Sequence, residues 1–350
     1  MKTYIITGAN SGLGFETAKR IAKKGYRVIL ACRNMEKGSE AADAIKSETG
    51  NENIESRQLD LASLVSVRNF AEGLKDTAIY ALDNNAGISG MKTGTTEDGY
   101  DIVFQSNHLG HFLLTNLLLP QIEADGRILN ISSDMHNPPY GELVWKGAEI
   151  LAHPTEEIMR QRYYYSKLCN LYFTYELSRK LREEDSHITV SALNPGFMGE
   201  TNLAGGNMTK ERIEQVKQTM PDRFGELSVS AQAAADILTE DRYLSSEALY
   251  YDRSTNTAKS SLLSYVEENA KELWDASMKL SGAVRNGCCS QCCHGTDIHS
   301  GIRRKSSPSK SPYHTLLHFF HPMRRCRHRH PRSGPEDLPV WSFRLRTGRR

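Results

Sequence analysis

The residues TYIITGANSGLG occupy positions 3–14 and precede FETAKRIAKK at positions 15–24. The first five are mostly apolar or β-branched and run into a glycine, which is typical of a buried strand, whereas positions 15–24 carry apolar residues at helical spacing. A glycine turn between a strand and a helix lets the backbone approach a pyrophosphate, whose charge then meets the helix N-terminus. The segment therefore predicts a dinucleotide-binding turn, with G-x-x-x-G-x-G rather than the commoner G-x-G-x-x-G spacing.

The segments that follow predict further strands of one sheet. RVILA at 27–31, IESRQLDL at 54–61 and IYAL at 79–82 are separated by helical stretches. Strands that alternate with helices pair in parallel and carry helices on both faces. The sequence therefore predicts the α/β class, with a single Rossmann-type doubly wound parallel sheet of about six or seven strands filling residues 1–282.

Arg33 follows the second predicted strand and bears on the choice of dinucleotide. A site for NAD is expected to carry an acid at this point for the ribose 2′-hydroxyl, whereas an arginine suits a 2′-phosphate. Arg33 therefore favours NADP(H) as the cofactor. The alternative is an ordinary solvated arginine on the surface.

A tyrosine and a lysine four residues apart form a candidate proton-transfer pair. In YYYSK at 163–167, Tyr163 and Lys167 fall on one helix face and can point into the same pocket. A free phenol has a pKa of about 10, and a nearby cation favours its ionised form. We therefore expect Lys167, together with a cationic nicotinamide ring, to lower the pKa of Tyr163. The alternative is an aromatic ring packed on a lysine stem.

Taken in order, these and later motifs resemble the short-chain dehydrogenase/reductase family over residues 1–281. The stretches ACRN at 31–34 and SNHLGHFLLT at 106–115 most resemble the branch of retinol dehydrogenase and light-dependent protochlorophyllide reductase. Relatives in that branch mostly prefer NADPH, which agrees with Arg33. The family motifs present are Thr7-Gly8-x-x-x-Gly12-x-Gly14, Asn84-Asn85-Ala86-Gly87, Asn107, Ser132-Ser133, Tyr163-x-x-x-Lys167 and Pro195-Gly196.

The resemblance implies an oxidoreductase that transfers hydride between nicotinamide and a carbonyl or alcohol, with four residues at its site. Tyr163 would exchange a proton with the substrate oxygen as general acid/base, and Lys167 would lower its pKa and bind the nicotinamide ribose. Ser133, which follows an apolar strand at 127–131, would hydrogen-bond the substrate oxygen. Asn107 would hold a water that relays protons from Lys167 to solvent.

The resemblance also implies which residues bind NADP(H). Asp60 matches the family position that touches the adenine ring. After Pro195 and Gly196 the family usually has a threonine for the nicotinamide carboxamide; Glu200 stands at its commonest position, and Thr201 follows. The implied cofactor-binding residues are Gly8, Asn10, Ser11, Gly12, Leu13, Gly14, Arg33, Asp60, Leu61, Asn85, Ala86, Gly87, Tyr163, Lys167, Pro195, Gly196 and Thr201.

Some segments depart from the family pattern. Residues 134–162, between the serine and the tyrosine, form a longer stretch than in compact members and are expected to cover one wall of the substrate cleft. Residues 197–225 are rich in Gly, Asn, Met and charge, which suits a mobile lid. His108 and His111 have no matching Cys or His cluster, so we interpret them as packed helix residues and expect no metal site. Asp83 intrudes in an apolar strand without explanation.

The C-terminal 68 residues, 283–350, differ from the rest in composition. They hold 14 Arg or Lys against 3 Asp or Glu, whereas residues 1–282 hold 30 against 39. This composition predicts a disordered, even adventitious, tail. The alternatives are a zinc, lipid or redox site at CCSQCCH, residues 288–294, and a basic run at 324–330 that contacts nucleic acid or anionic membrane.

Composition also bounds the setting and the partners. Residues 1–282 contain only Cys32 and Cys169, which predicts a reducing compartment. With no recognisable signal peptide and no run of 18 apolar residues, we expect a cytoplasmic protein without a transmembrane segment. A small-molecule carbonyl or alcohol substrate and a homo-oligomer are expected, and the negative charge of residues 1–282 disfavours nucleic acid. A C=C reductase of the protochlorophyllide reductase type, favoured by Cys169, and a non-catalytic NADP-sensing protein are the alternatives.

Overall fold

The computed structural model describes residues 1–199, 201, 203 and 209–283. Within them, seven strands form one sheet: β1 (Thr3–Thr7), β2 (Arg27–Cys32), β3 (Ile54–Gln58), β4 (Ile79–Asn84), β5 (Ile122–Ile131), β6 (Thr189–Asn194) and β7 (Leu249–Asp252). All of the pairings are parallel, in the order β3-β2-β1-β4-β5-β6-β7. The predicted α/β doubly wound sheet is confirmed.

Helices cover both faces of the sheet. The α-helices of the described part are α1 (Gly12–Lys23), α2 (Met35–Thr49), α3 (Leu64–Glu72), α4 (Ile102–Phe104), α5 (Gly110–Leu118), α6 (Ala148–Ala152), α7 (Glu156–Met159), α8 (Arg162–Glu183), α9 (Lys210–Thr219), α10 (Leu227–Thr239) and α11 (Glu267–Ser281). Helices α1, α2 and α10 bury apolar residues such as Ile21 and Ile45 in the core on one face. Helices α3, α5, α8 and α11 build the core on the other, with Phe112 and Trp274.

The strand order places the functional motifs together. The order reverses between β1 and β4, so the crossover helices on either side of this point lie on opposite faces of the sheet. Ligands of such sheets bind at this reversal, beyond the carboxyl ends of the strands. Gly8, Asn85, Ser133 and Pro195 all follow the carboxyl ends of strands, so the predicted site residues meet at one edge.

Strand β5 begins earlier than the sequence predicts, at Ile122 rather than at 127. Ile122 pairs with Ile79, and the register then shifts before Ala81 pairs with Arg127. A Cβ built on Gly126 would lie 2.4 Å from Cγ2 of Ile122, so the bulged stretch requires glycine. The acidic residues Glu123 and Asp125 before Gly126 are typical of a turn, so the sequence did not predict the bulge.

The apolar residues of positions 261–280 recur at helical spacing, which predicts one amphipathic helix, but the structure divides this segment. A 3₁₀ turn spans Leu262–Tyr265, and α11 begins at Glu267 after the extended Val266. Helix α11 ends at Gly282, whose φ is +60°, and Nη2 of Arg68 donates to the carbonyl of Ser281 at 2.6 Å. The predictions for 284–350, including the zinc alternative, lie outside the described residues.

Candidate active site

Glycine is required at three positions of the turn between β1 and α1. Gly8 and Gly12 have φ of +67° and +57°, in the left-handed region that glycine adopts readily. A Cβ built on Gly14 would lie 2.5 Å from Nδ2 of Asn85 and 3.0 Å from the carbonyl oxygen of Gly8. The turn therefore packs directly against the loop that follows β4.

Hydrogen bonds fasten this turn to the Asn-Ala-Gly loop. Nδ2 of Asn85 donates to the carbonyl of Thr7 at 2.7 Å, and the amide of Ala86 donates to Oγ1 of Thr7 at 2.9 Å. A Cβ built on Gly87 would lie 3.4 Å from Oδ1 of Asn107 and 3.7 Å from Nζ of Lys167. This loop therefore links the glycine turn to two of the predicted catalytic residues.

The loop after β6 meets the glycine turn from the other side. Pro195 precedes Gly196, which has a φ of +78°. Thr201 is buried, and its Oγ1 donates to the carbonyl of Met198 at 2.9 Å. A Cβ built on Gly12 would lie 3.6 Å from Cγ2 of Thr201. The structure thus brings Thr201 to the turn, whereas Glu200 lies outside the described residues.

The remaining predicted cofactor residues surround the adenosine end of the expected site. Arg33 is exposed after β2, and it makes no hydrogen bond within the described part of the chain. Oδ1 of Asp60 accepts from the amide of Ala62 at 3.0 Å. Leu61 is buried, and its carbonyl lies 2.5 Å from a Cβ built on Gly110. Three more residues are half-buried or buried in the glycine turn: Asn10, Ser11 and Leu13.

Helix α8 carries the predicted tyrosine and lysine on one face. Nζ of Lys167 lies 5.6 Å from the ring centroid of Tyr163 and donates to the carbonyl of Ile131 at 3.1 Å. Burial lowers the pKa of Lys167 to about 8, because removal from water disfavours the charged amine. The predicted pair is therefore assembled at the carboxyl end of β5.

Ser133 lies beside this pair. It acts to lower the pKa of Tyr163, and its Oγ accepts from the amide of Met135 at 3.2 Å. Burial raises the pKa of Tyr163 to about 12, Ser133 opposes this rise, and the charge of Asp134 adds to it. Lys167 does not offset the loss of water around the phenol. Its Nζ lies 5.6 Å from the ring centroid of Tyr163 and donates its hydrogen bond to the carbonyl of Ile131. The expectation that Lys167 and a bound nicotinamide ring together lower this pKa stays a prediction.

Asn107 is held by hydrogen bonds on both ends of its amide. It lies in a π-helical turn, Gln105–Leu109, between α4 and α5. Oδ1 accepts from the amide of Ile88 at 2.8 Å, and Nδ2 donates to the carbonyl of Ile88 and to Oγ of Ser166, each at 3.0 Å. The side chain thus ties the loop after β4 to α8. Its predicted water relay stays a prediction.

Sequence reasoning missed a buried arginine beside the tyrosine. Arg162 donates to the carbonyl of Gly90 from Nε at 2.9 Å and from Nη2 at 2.6 Å, and its Nη1 lies 3.4 Å from Oδ2 of Asp101. A Cβ built on Gly90 would lie 2.9 Å from Cβ of Tyr163. Arg162 therefore holds the loop at Gly90 in contact with Tyr163. Its adjacency to Tyr163 was the one available signal, since Asp101 lies 61 positions away.

The two histidines of α5 and its π-helical turn are packed between elements, as expected. Nε2 of His111 lies 2.9 Å from Oγ1 of Thr7, and Nε2 of His108 lies 2.9 Å from Oγ of Ser277. Among the described residues, no group of three His, Cys, Asp or Glu side chains is placed to hold a metal ion. None of the described helices combines the length and apolar character needed to cross a bilayer.

Two segments flank the site. The stretch between Ser133 and Tyr163 is fixed to α11, because Nε1 of Trp145 donates to Oε2 of Glu272 at 3.0 Å. In the expected lid over 197–225, the amide of Phe197 donates to the carbonyl of Arg223 at 2.7 Å, so the two ends of the segment meet. Residues 200, 202 and 204–208 lie outside the described part, and the mobility of the lid stays a prediction.

Comparison with known proteins identifies the family. The family model of short chain dehydrogenases matches residues 2–145. Retinol dehydrogenase 13 of Homo sapiens is 36% identical over 293 residues, which cover 80% of this chain and 85% of that protein. The chain therefore belongs to the short chain dehydrogenase family of oxidoreductases. Within that family it lies in the retinol dehydrogenase-like branch, because retinol dehydrogenase 11 of Homo sapiens is also 40% identical over 199 residues, 56% of this chain and 60% of that protein.

Solved structures share the fold. A protein of uncharacterised function from Mycobacterium Paratuberculosis is 33% identical, with a TM-score of 0.64 over 81% of this chain and 94% of that one. An actinorhodin polyketide ketoreductase with NADPH is 25% identical, with a TM-score of 0.55 over 71% of this chain and 95% of that one. The overall fold of this chain is therefore similar to that of a solved ketoreductase.

Proposed function

We propose that this protein is an NADPH-dependent reductase of carbonyl compounds, with the reverse oxidation of alcohols at the same site. The observation that carries the proposal is the convergence of Ser133, Tyr163, Lys167 and Asn107 beside a glycine turn at one sheet edge. The similarity to retinol dehydrogenases and to a ketoreductase with NADPH supports it.

The residues present fit a nicotinamide dinucleotide. Gly8 and Gly12 adopt left-handed conformations in the turn that leads into the N-terminus of α1, where a pyrophosphate would lie. Nζ of Lys167 donates one hydrogen bond to a described residue, Ile131, so two of its three N–H groups remain for ribose hydroxyls. Arg33, which is exposed just after β2, would pair with the 2′-phosphate of NADPH. The bound cofactor would supply the hydride.

Side chains of the protein would supply the proton that the substrate oxygen accepts. Ser133 would donate a hydrogen bond to the substrate oxygen, where negative charge develops as hydride arrives. Tyr163 would then donate its proton to that oxygen. Because burial holds the pKa of Tyr163 at about 12, the phenol is protonated at neutral pH. That protonation state is the one in which Tyr163 can donate a proton to a carbonyl oxygen.

Cys169 favoured a C=C reductase in the sequence analysis, but its position in the structure does not support that alternative. Cys169 is fully buried in the core between the sheet and the helices. Burial raises the pKa of its thiol well above the usual value, which makes it a poor proton donor. We therefore keep one proposed function.

The test is turnover by two matched variants. Purified protein would be given NADPH and a panel of aldehydes and ketones, and the loss of NADPH absorbance would be followed. Tyr163→Phe should lower kcat at least about 100-fold, since general acid catalysis contributes roughly 10² to 10⁴, and should leave the Kd for NADPH within about twofold. Tyr164→Phe, its neighbour on α8, should keep kcat. Retention of a tenth or more of kcat in Tyr163→Phe would place the acid elsewhere.

A further inference from the structure

Ser133 contacts an ion pair that is formed by Asp134 and Arg223. Oγ of Ser133 donates to Oδ1 of Asp134 at 3.3 Å, and Oδ2 of Asp134 lies 3.3 Å from Nη1 of Arg223. Arg223 ends a 3₁₀ turn, Pro221–Arg223, whose backbone pairs with Phe197 of the loop after β6. The phenol, the serine, the carboxylate and the guanidinium therefore form one chain of contacts.

We propose that Asp134 and Arg223 are positioning residues that act through Ser133: Asp134 holds its hydroxyl in the resting site, and the two opposite charges tune the ionisation of Tyr163. This inference rests on the proposed function. A serine hydroxyl has one proton to donate. While it is donated to Asp134, it is not available to a substrate oxygen, so Asp134 competes with the substrate for Ser133.

The charges act on Tyr163 with opposite signs. The carboxylate of Asp134, whose Oδ1 accepts from Oγ of Ser133, disfavours a second negative charge on the phenol, and this charge contributes to the raised pKa of Tyr163. Arg223 opposes this effect, because its cation neutralises the carboxylate. Removing the charge of Asp134 should therefore lower the pKa of Tyr163, and removing the charge of Arg223 should raise it.

Other charged groups around the carboxylate leave Arg223 as its principal counter-charge. Arg253, at the end of β7, favours the charged form of Asp134 but donates from Nη2 to its own neighbour, Asp252, at 2.5 Å. Burial lowers the pKa of His136, whose ring stays neutral at pH 7. Tyr250 packs against that ring, and burial holds it protonated.

The pair contributes little to folding, which makes it accessible to substitution. The two side chains are 26% and 27% exposed, and ion pairs at that exposure are screened by solvent. Asp134→Asn and Arg223→Gln keep the shape of each side chain and remove its charge. We expect both variants to fold and to bind NADPH as the unmodified protein does.

The experiment measures kcat/KM for oxidation of an active alcohol against pH, because that direction needs the ionised phenol. The midpoint should move about half to one and a half pH units lower in Asp134→Asn and higher in Arg223→Gln. The double variant should lie between them, and Asp43→Asn, an exposed acid on α2, should not shift. Shifts in the same direction, or no shift in either variant, would overturn the proposal.

A second readout separates this inference from the proposed function. With ¹³Cζ-labelled tyrosine, the NMR signal lost in Tyr163→Phe belongs to Tyr163, and its titration up to pH 11 needs no turnover. Onset at lower pH in Asp134→Asn, and at higher pH in Arg223→Gln, supports the charge effect even if Tyr163→Phe remains active. An unchanged onset in both variants contradicts it, whatever the enzyme assay gives.

Discussion

Asp83 is a fully buried carboxyl group, and both of its oxygens lack a hydrogen-bond partner in the described residues. In the sheet it lies between Ile6 and Leu129. Burial raises its pKa to about 8, because no neighbouring cation compensates for the lost water. The sequence showed Asp83 as an intrusion in an apolar strand, and the structure explains it as a carboxyl that is neutral at pH 7.

We predict that Asp83→Leu removes a pH-dependent loss of stability. Because the folded pKa is raised, the folded state retains a proton that the unfolded chain releases above about pH 4, so stability falls as pH rises from about 4 to 8. Up to pH 7 that loss is about 4 kcal/mol. Urea unfolding between pH 4 and 8 should show a flatter profile in Asp83→Leu than in the unmodified protein. Asp83→Asn, the uncharged isostere, should flatten it too; an unchanged slope in both would contradict the argument.

A second prediction at this scale concerns the cofactor. NADPH should bind at least about tenfold more tightly than NADH, a difference of about 1.4 kcal/mol that one charge-assisted contact from Arg33 supplies. Fluorescence titration of both cofactors should show the ratio narrow in Arg33→Ala and persist in Lys23→Ala, an exposed cation at the end of α1. Equal affinities in the unmodified protein would exclude Arg33 as a determinant of specificity.

Contacts between residues that are close in sequence could be predicted, whereas contacts between residues far apart in sequence could not. Tyr163 and Lys167 are four positions apart on one helix, so their meeting follows from helical geometry. Asp134 and Arg223 are 89 positions apart, and their contact depends on how the loops beyond β5 and β6 fold over one another. The burial that raises the pKa of Tyr163 could not be predicted for a similar reason, since burial is a property of the whole packed site.

At the scale of elements, α11 covers the helices that carry the site. Trp274 packs against Phe112 of α5 and Phe173 of α8, with ring centroids 5.0 and 6.0 Å apart. Ser277 of α11 hydrogen-bonds His108, beside Asn107. The amphipathic pattern of this segment could be predicted from sequence, but its partners are more than 100 positions away, and only the folded chain shows which face it covers.

We predict that Trp274→Ala destabilises the fold by about 3 to 5 kcal/mol, the usual cost of removing a large buried aromatic side chain. Trp274 is 5% exposed, so a cavity would form between α5, α8 and α11. Leu262→Ala, at a residue 89% exposed just before α11, should change stability by less than about 0.5 kcal/mol. Urea unfolding of the two variants measures both values; a cost below about 1 kcal/mol for Trp274→Ala would mean that α11 packs loosely.

For the whole molecule, the predicted boundary at residue 282 lies next to the end of α11. Helix α11 closes with Gly282 in the left-handed conformation, and Arg68 of α3 donates to the carbonyls of Ser281 and Gly282. The fold class followed from the alternation of strands and helices in the sequence, whereas the strand order is known from the structure. The opposite net charges of residues 1–282 and 283–350 predicted the boundary, which stays a prediction.

Two truncations test that boundary. If residues 283–350 pack on nothing, a chain ending at Gly282 should keep its kcat and melt within about two degrees of the full chain, because the deletion then removes no stabilising contact. A chain ending at Ser261 lacks α11, and it should melt at least about ten degrees lower, since it exposes the aromatic cluster around Phe112. If the cysteines at 288–294 instead bind zinc and brace the domain, a chelator should lower the melting temperature of the full chain to that of the chain ending at Gly282. A marked drop for the chain ending at Gly282, with or without chelator, would move the boundary beyond residue 282.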